Sequence, residues 1–157
     1  MDRDIEKGFE FFENLVRGSY CYIEPEVAGG LGRFSVLDVS EHPPVVYALE
    51  YEFEGWLGDG LLQSFPCFIV TEALAAAIRE SDLTGCSFDV VSVVRSETFG
   101  MLYPHVVLPN FVWLKVHGIA GVADFGLAED KRLVVSIASK NVISKFGLRN
   151  ASFEAFG

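Results

Sequence analysis

Two carboxylates, Asp59 and Asp124, occupy equivalent places in two stretches of the chain that echo each other at an offset of 65 residues. If those stretches are related by a pseudo-twofold axis, the two acids face one another, the arrangement that general acid/base chemistry or cation binding requires. The alternative is that each Asp ends a loop before a strand, a common task for this residue. No other spacing suggests catalysis. His42 precedes two prolines, His105 follows one and His117 ends an apolar run. None forms an H-x-x-x-H pair, and each is expected to be a surface or core histidine. G-x-S-x-G, H-E-x-x-H and Cys–His signatures are absent, so neither a metal nor a cofactor is expected. The Gly-rich stretch Glu24 to Arg33 (EPEVAGGLGR) lacks both the G-x-G-x-x-G spacing and the Lys-Ser/Thr that holds phosphate, which leaves turn chemistry.

A second group of acids is patterned rather than paired. From Val45 to Glu54, Tyr47, Leu49, Tyr51 and Phe53 alternate with Ala48, Glu50, Glu52 and Glu54. This is the period of a strand with one apolar face and one face of three carboxylates. Like charges in a row repel, so that face belongs in water or opposite cations. The whole chain carries a formal charge of -10 and a pI near 4.6. That argues against nucleic acid or an anionic membrane as partner, and for solubility or a basic protein partner.

The elements that must position these residues are legible in part. At 157 residues, half of them apolar and including 14 Phe, the chain is long enough for one real core, and a single domain spanning 1–157 is expected. Cys21, Cys67 and Cys86 are odd in number and scattered, as reduced thiols are. The charged start has no signal-peptide core, and no apolar run approaches the ~20 residues that span a bilayer. The cytoplasm is the expected location. Residues 1–16 carry a helical stripe of Ile5, Phe9, Phe12 and Leu15 or Val16. Phe68 to Asp89 reads as strand, cap at Thr71, helix with Leu74, Ala77, Ile78 and Ser81 on one face, then a strand from Ser87 to Val94. Leu133 to Glu154 repeats the plan, with Ile137, Val142, Ile143 and Phe146 at helical spacing and Gly147 as C-cap. Phe111 to Gly118, apolar on both sides, reads as a central strand, and Ser96 as the cap of a single helical turn. The fold expected is α+β: a mainly antiparallel or mixed sheet with two repeated strand-helix-strand units, at about 57–89 and 122–154, and an N-terminal helix.

The segments FIVTEALAAAIRESDLTGCSF and DFGLAEDKRLVVSIASKNVISKFGL resemble a pattern found in small bacterial immunity proteins of polymorphic toxin systems. The pattern is an apolar strand ending in Val-Ser/Thr, a helix, then Leu-x-Gly or Leu-x-Asn before a Phe-containing strand. With EPEVAGGLG, HPPVV, YEFEGWLGD and FPCFIVTE, the chain also resembles uncharacterised bacterial proteins of similar length. It lacks the paired cysteines of some immunity proteins, which leaves the subfamily open. The resemblance implies a non-catalytic protein that binds and neutralises a cognate toxin, a basic one given the charge. The surface implied is Glu50, Glu52 and Glu54, joined by Asp59, Asp124, Glu129 and Asp130 if the two units pack side by side. Tyr51 or Trp56 would supply its aromatic anchor, unless both rings belong to the core. The rival expectations are a small enzyme built on Asp59 and Asp124, and an acidic scaffold or oligomerisation module.

Overall fold

The structure, a computed structural model, describes residues 19–157. The helix expected over 1–16 lies outside the described residues. In chain order the elements are β1 (Tyr20–Glu24), β2 (Gly29–Leu31), β3 (Val36–Asp38), β4 (Val45–Phe53), β5 (Leu61–Ser64) and β6 (Cys67–Thr71). Helix α1 (Glu72–Glu80), β7 (Cys86–Asp89), β8 (Val91–Arg95), α2 (Glu97–Leu102) and β9 (Phe111–Val116) follow. The chain closes with β10 (Phe125–Leu127), β11 (Leu133–Ser136), α3 (Ile137–Ser144) and β12 (Ser152–Phe156). The class is α+β with mostly antiparallel sheets; the ladder between β4 and β8 is parallel.

Two four-stranded antiparallel sheets have the orders β5-β6-β9-β7 and β10-β11-β1-β12. In the first, β9 lies between β6 and β7, with Leu114 opposite both Phe68 and Phe88. In the second, β1 from far upstream lies between β11 and β12, with Ile23 opposite both Leu133 and Phe153. In each sheet one strand runs directly into a helix, β6 into α1 and β11 into α3, whose N-cap hydroxyl is in place. Thr71 Oγ1 accepts the Leu74 N–H at 3.2 Å, and Ser136 Oγ accepts the Ser139 N–H at 3.1 Å. A hydroxyl at that position satisfies one of the four free N–H groups of a helix start. Leu74, Ala75 and Ile78 of α1 and Ile143 of α3 are buried in one cluster with Phe68, Val70, Leu114, Phe125, Leu133 and Val135. Ala75, not Ala77, completes the buried face of α1, and Ser81 is exposed.

Strand β6 is buried at every residue because both of its faces are covered. Phe68 and Val70 enter the cluster just described, whereas Cys67 and Ile69 turn to a second cluster with Leu49, Tyr51, Phe53, Phe99, Phe111 and Trp113. Strand β4 therefore closes the far side of the first sheet with its apolar face. Along β4, β2 pairs with residues 51–53, β3 with 45–48 and β8 with 49–53.

Three expectations need correction. The strand expected from Ser87 to Val94 is two strands in different sheets: Asp89 pairs with Trp113, but Val91 pairs with Leu49. The chain breaks at the exposed Val90, whose N–H is taken by the Asp89 carboxylate at 2.8 Å instead of by a ladder. The Gly-rich loop contains β2, with Gly29 set so close to the Glu52 carbonyl that any side chain would collide with it. The loop expected from Gly121 to Lys131 contains β10.

Candidate functional site

Asp59 and Asp124 do not pair with each other; each is tied into the opposite stretch. Asp59 is 2 % exposed, and its carboxylate accepts the N–H groups of Arg149 (3.1 Å) and Asn150 (2.8 Å) and the Asn150 side-chain amide (3.1 Å). These donors lie in the turn between α3 and β12, which Gly147 opens at φ +94°. Asp124 accepts from the Thr84 N–H and hydroxyl, at 2.9 and 3.0 Å, in the turn between α1 and β7, and from Ser136 Oγ at 2.7 Å. Gly85 beside it leaves no room for a side chain, because the Phe125 carbonyl stands where a Cβ would be. Both acids are consumed by backbone, amide and hydroxyl donors, the work of loop closure rather than of proton transfer.

The carboxylate row on β4 is not uniformly in water, contrary to expectation. Glu50 is 6 % exposed, because Gly32 and Ser35 cover it: Gly32 donates to the Glu50 carbonyl at 2.7 Å, and Ser35 Oγ receives the Glu50 N–H at 2.8 Å. A side chain at position 32 would strike the Glu50 carboxylate. Glu52 is half-buried and Glu54 exposed. Glu129 and Asp130, also exposed, line a separate cavity of about 530 Å³ with Tyr22 and Phe156. There Arg132 Nε reaches Asp130 at 2.7 Å, and its other arm reaches Glu154 at 3.1 Å. The hydrogen bond from Arg132 holds the Asp130 carboxyl below its ordinary range. The seven acids singled out from the sequence thus fall in different places.

Only Glu54 of the seven lines the cleft with the richest chemistry. This cavity, about 400 Å³, is bounded by Glu26, Glu54, Trp56 and Tyr103, with Val27 and Leu57 on its rim. Those two rim residues are 67 and 73 % exposed. The turn from Glu54 to Gly60 is laced to the segment before β2. Glu54 N–H donates to the Ala28 carbonyl at 2.8 Å, Trp56 Nε1 donates to the Asp59 carbonyl at 3.0 Å, and the Glu26 carboxylate accepts the Leu57 N–H at 2.7 Å and the Asp59 N–H at 3.3 Å. Beneath the turn, the Tyr51 hydroxyl accepts from the Ala28 N–H at 3.0 Å and donates to the Gln63 carbonyl at 3.1 Å. Tyr51 is therefore a core residue, and burial pushes its hydroxyl up to about 12. Helix α2 supplies the other wall. Ser96 caps it by accepting the Phe99 N–H at 3.0 Å, and the same hydroxyl donates to Glu54 Oε2 at 2.9 Å. Tyr103, at the helix end, packs edge-on against Phe99 with centroids 5.8 Å apart.

Burial raises the carboxyl of Glu26 above its ordinary 4.5, against the two backbone N–H groups that favour the ion and with Asp59 adding repulsion. A carboxyl with a raised folded pKa contributes stability that is complete below about 4.5 and is lost as pH climbs through the folded value. Glu26→Gln is therefore expected to flatten the fall in stability above pH 4.5. Urea midpoints measured from pH 4 to pH 8 on both proteins test this, and parallel curves would contradict it.

Sequence reasoning flagged Trp56 but missed Glu26 and Tyr103. Glu26 sits in an irregular E-P-E run, and Tyr103 precedes a proline; neither has a periodic context that marks a site. The thiols are poor nucleophiles: burial pushes Cys67 to about 12 and Cys86 to about 11. Among the described residues, no three His, Cys, Asp or Glu side chains converge to hold a metal, and no helix is long and apolar enough to cross a membrane. No protein-family model and no curated protein matches this chain.

Proposed function

We propose that this chain is a non-catalytic binding protein that neutralises a cognate bacterial toxin domain by direct contact in the cytoplasm of the producing cell. The observation that carries the reading is the cleft at Glu26, Glu54, Trp56 and Tyr103, where carboxylates meet aromatic walls and an exposed apolar rim. Aromatic side chains in a partly desolvated pocket, with charge beside them, are what tight protein interfaces are built around. The formal charge of -10 supports a basic partner, since opposite net charges accelerate encounter. The 65-residue echo is read as one unit used twice, supported by the matching order of hairpin, capped helix and return strand in the two sheets.

The experiment is affinity capture from the native cell followed by a functional assay of what is captured. The expected result is a basic, stoichiometric partner that elutes with salt, is toxic when expressed alone and is silenced by this chain at equimolar ratio. Association should slow steeply as ionic strength rises. A bait that captures nothing, or a partner whose toxicity persists at saturation, would overturn the reading.

A further inference from the structure

We propose that the cleft between β2, the Glu54–Gly60 turn and α2 receives one arginine side chain of the protein partner. Its guanidinium would meet Glu54, and its stem would lie against Trp56 and Tyr103. The proposal names the anchor for the binding reading above and rests on it.

The argument starts from charge. Two carboxylates line the cleft, and among the described residues no lysine, arginine or histidine does. Its acidic counterpart at Glu129 and Asp130 differs in this respect, because Arg132 already answers Asp130. The carboxylates also divide the work. Both oxygens of Glu26 are engaged by backbone N–H groups, so its role is to hold the turn and add negative potential. Glu54 is exposed, yet it is fixed by Ser96 through Oε2, and among the described residues no protein donor reaches Oε1. An oriented carboxylate with an open oxygen suits the paired N–H groups of a guanidinium. The walls supply the second half of the match. A guanidinium is planar, weakly hydrated and stacks on aromatic rings, so Trp56 and Tyr103 favour it over an ammonium. The rings are themselves held in place, Trp56 by the Asp59 carbonyl and by edge contact with Phe111, Tyr103 by Phe99. Ordering cost on binding is correspondingly low.

The test uses small probes and does not require the partner. Acetyl-arginine amide and its neutral citrulline counterpart are titrated into the full chain while the indole N–H signals are followed by NMR. Trp56→Phe assigns the signals, and Trp113, buried in the core, is the internal reference. The expected result is a saturable shift at Trp56 with the arginine probe, with a Kd on the order of 1 mM, as suits a single side chain. Glu54→Gln, which keeps an oxygen for Ser96, should weaken it about tenfold, the loss of a charge-assisted contact. The citrulline probe should leave Trp56 unmoved. No shift, an equal shift with citrulline, or an unchanged affinity in Glu54→Gln would overturn the proposal. Capture of a toxin without any arginine response would remove this anchor and leave the binding reading standing; an arginine response without a toxin would do the reverse.

Discussion

Asp59→Ala is expected to lower the unfolding free energy by about 3 kcal/mol, the cost of removing a buried charged acceptor that satisfies three donors. Three N–H donors from Arg149 and Asn150, in part-buried bonds, lose their partner at once, beside a side chain that is itself 2 % exposed. The damage should be directional. The turn before β12 is what Asp59 holds, so amide exchange should rise first along β12 and the strand beside it, β1, and only later in β6 and β9. Asp124→Ala removes an equivalent tie but should cost roughly half as much, because its two bonds to Thr84 are exposed and solvent replaces them, which leaves the part-buried bond from Ser136 as the main loss. Denaturant midpoints of the two variants decide the matter. A loss below about 1 kcal/mol for Asp59→Ala would mean that the carboxylate is not what closes this turn.

Phe53→Ala should cost more, about 4 kcal/mol, as truncation of a fully buried phenylalanine does. Phe53 has no exposed surface and touches three rings: Tyr51 at 4.7 Å between centroids, Phe111 at 5.2 Å and Phe99 at 6.5 Å. Two of these stand directly behind the cleft, since Phe111 supports Trp56 and Phe99 supports Tyr103. The variant should therefore lose stability and ligand response together. Phe53→Leu separates the two effects. It keeps most of the volume and should cost about 1 kcal/mol, leaving the protein folded while the aromatic walls lose their backing. A Phe53→Leu protein with an unaltered arginine titration would show that Trp56 and Tyr103 need no support from below.

What could be foreseen from sequence was local. The alternation in Val45 to Glu54 identified β4 and its buried Leu49, Tyr51 and Phe53, because period 2 is written into neighbouring residues, but Tyr47, expected on the same face, is 65 % exposed. Thr71 and Ser96 were recognisable as caps, since a hydroxyl before a helix acts on N–H groups three residues away, and Ser136 stands at the place of Thr71 in the second unit. What escaped depends on residues far apart in the chain. Nothing near Glu50 announces that Gly32 will cover it. Nothing near Asp59 announces donors at Arg149 and Asn150, so an acid that ties two turns reads from sequence like one that awaits a proton. The split at Val90 was missed for the same reason: a continuous strand-like stretch from Ser87 to Val94 does not say that its halves join different sheets.

The position of β1 between β11 and β12 has a consequence for the order in which the molecule can assemble during synthesis. The ladders of the first sheet, and the β4 ladders beside it, involve residues no later than Val116, so both can form on the ribosome while the rest of the chain is still being made. β1 emerges before all of them and must wait, with Cys21 and Ile23 uncovered, until Leu133 to Phe156 have been made. Long-range pairing of this kind is slow and leaves a strand open to wrong partners in the meantime. The nascent chain is thus most vulnerable to aggregation between the synthesis of Val116 and that of Phe156, when the first sheet can already be folded and β1 is still unmatched.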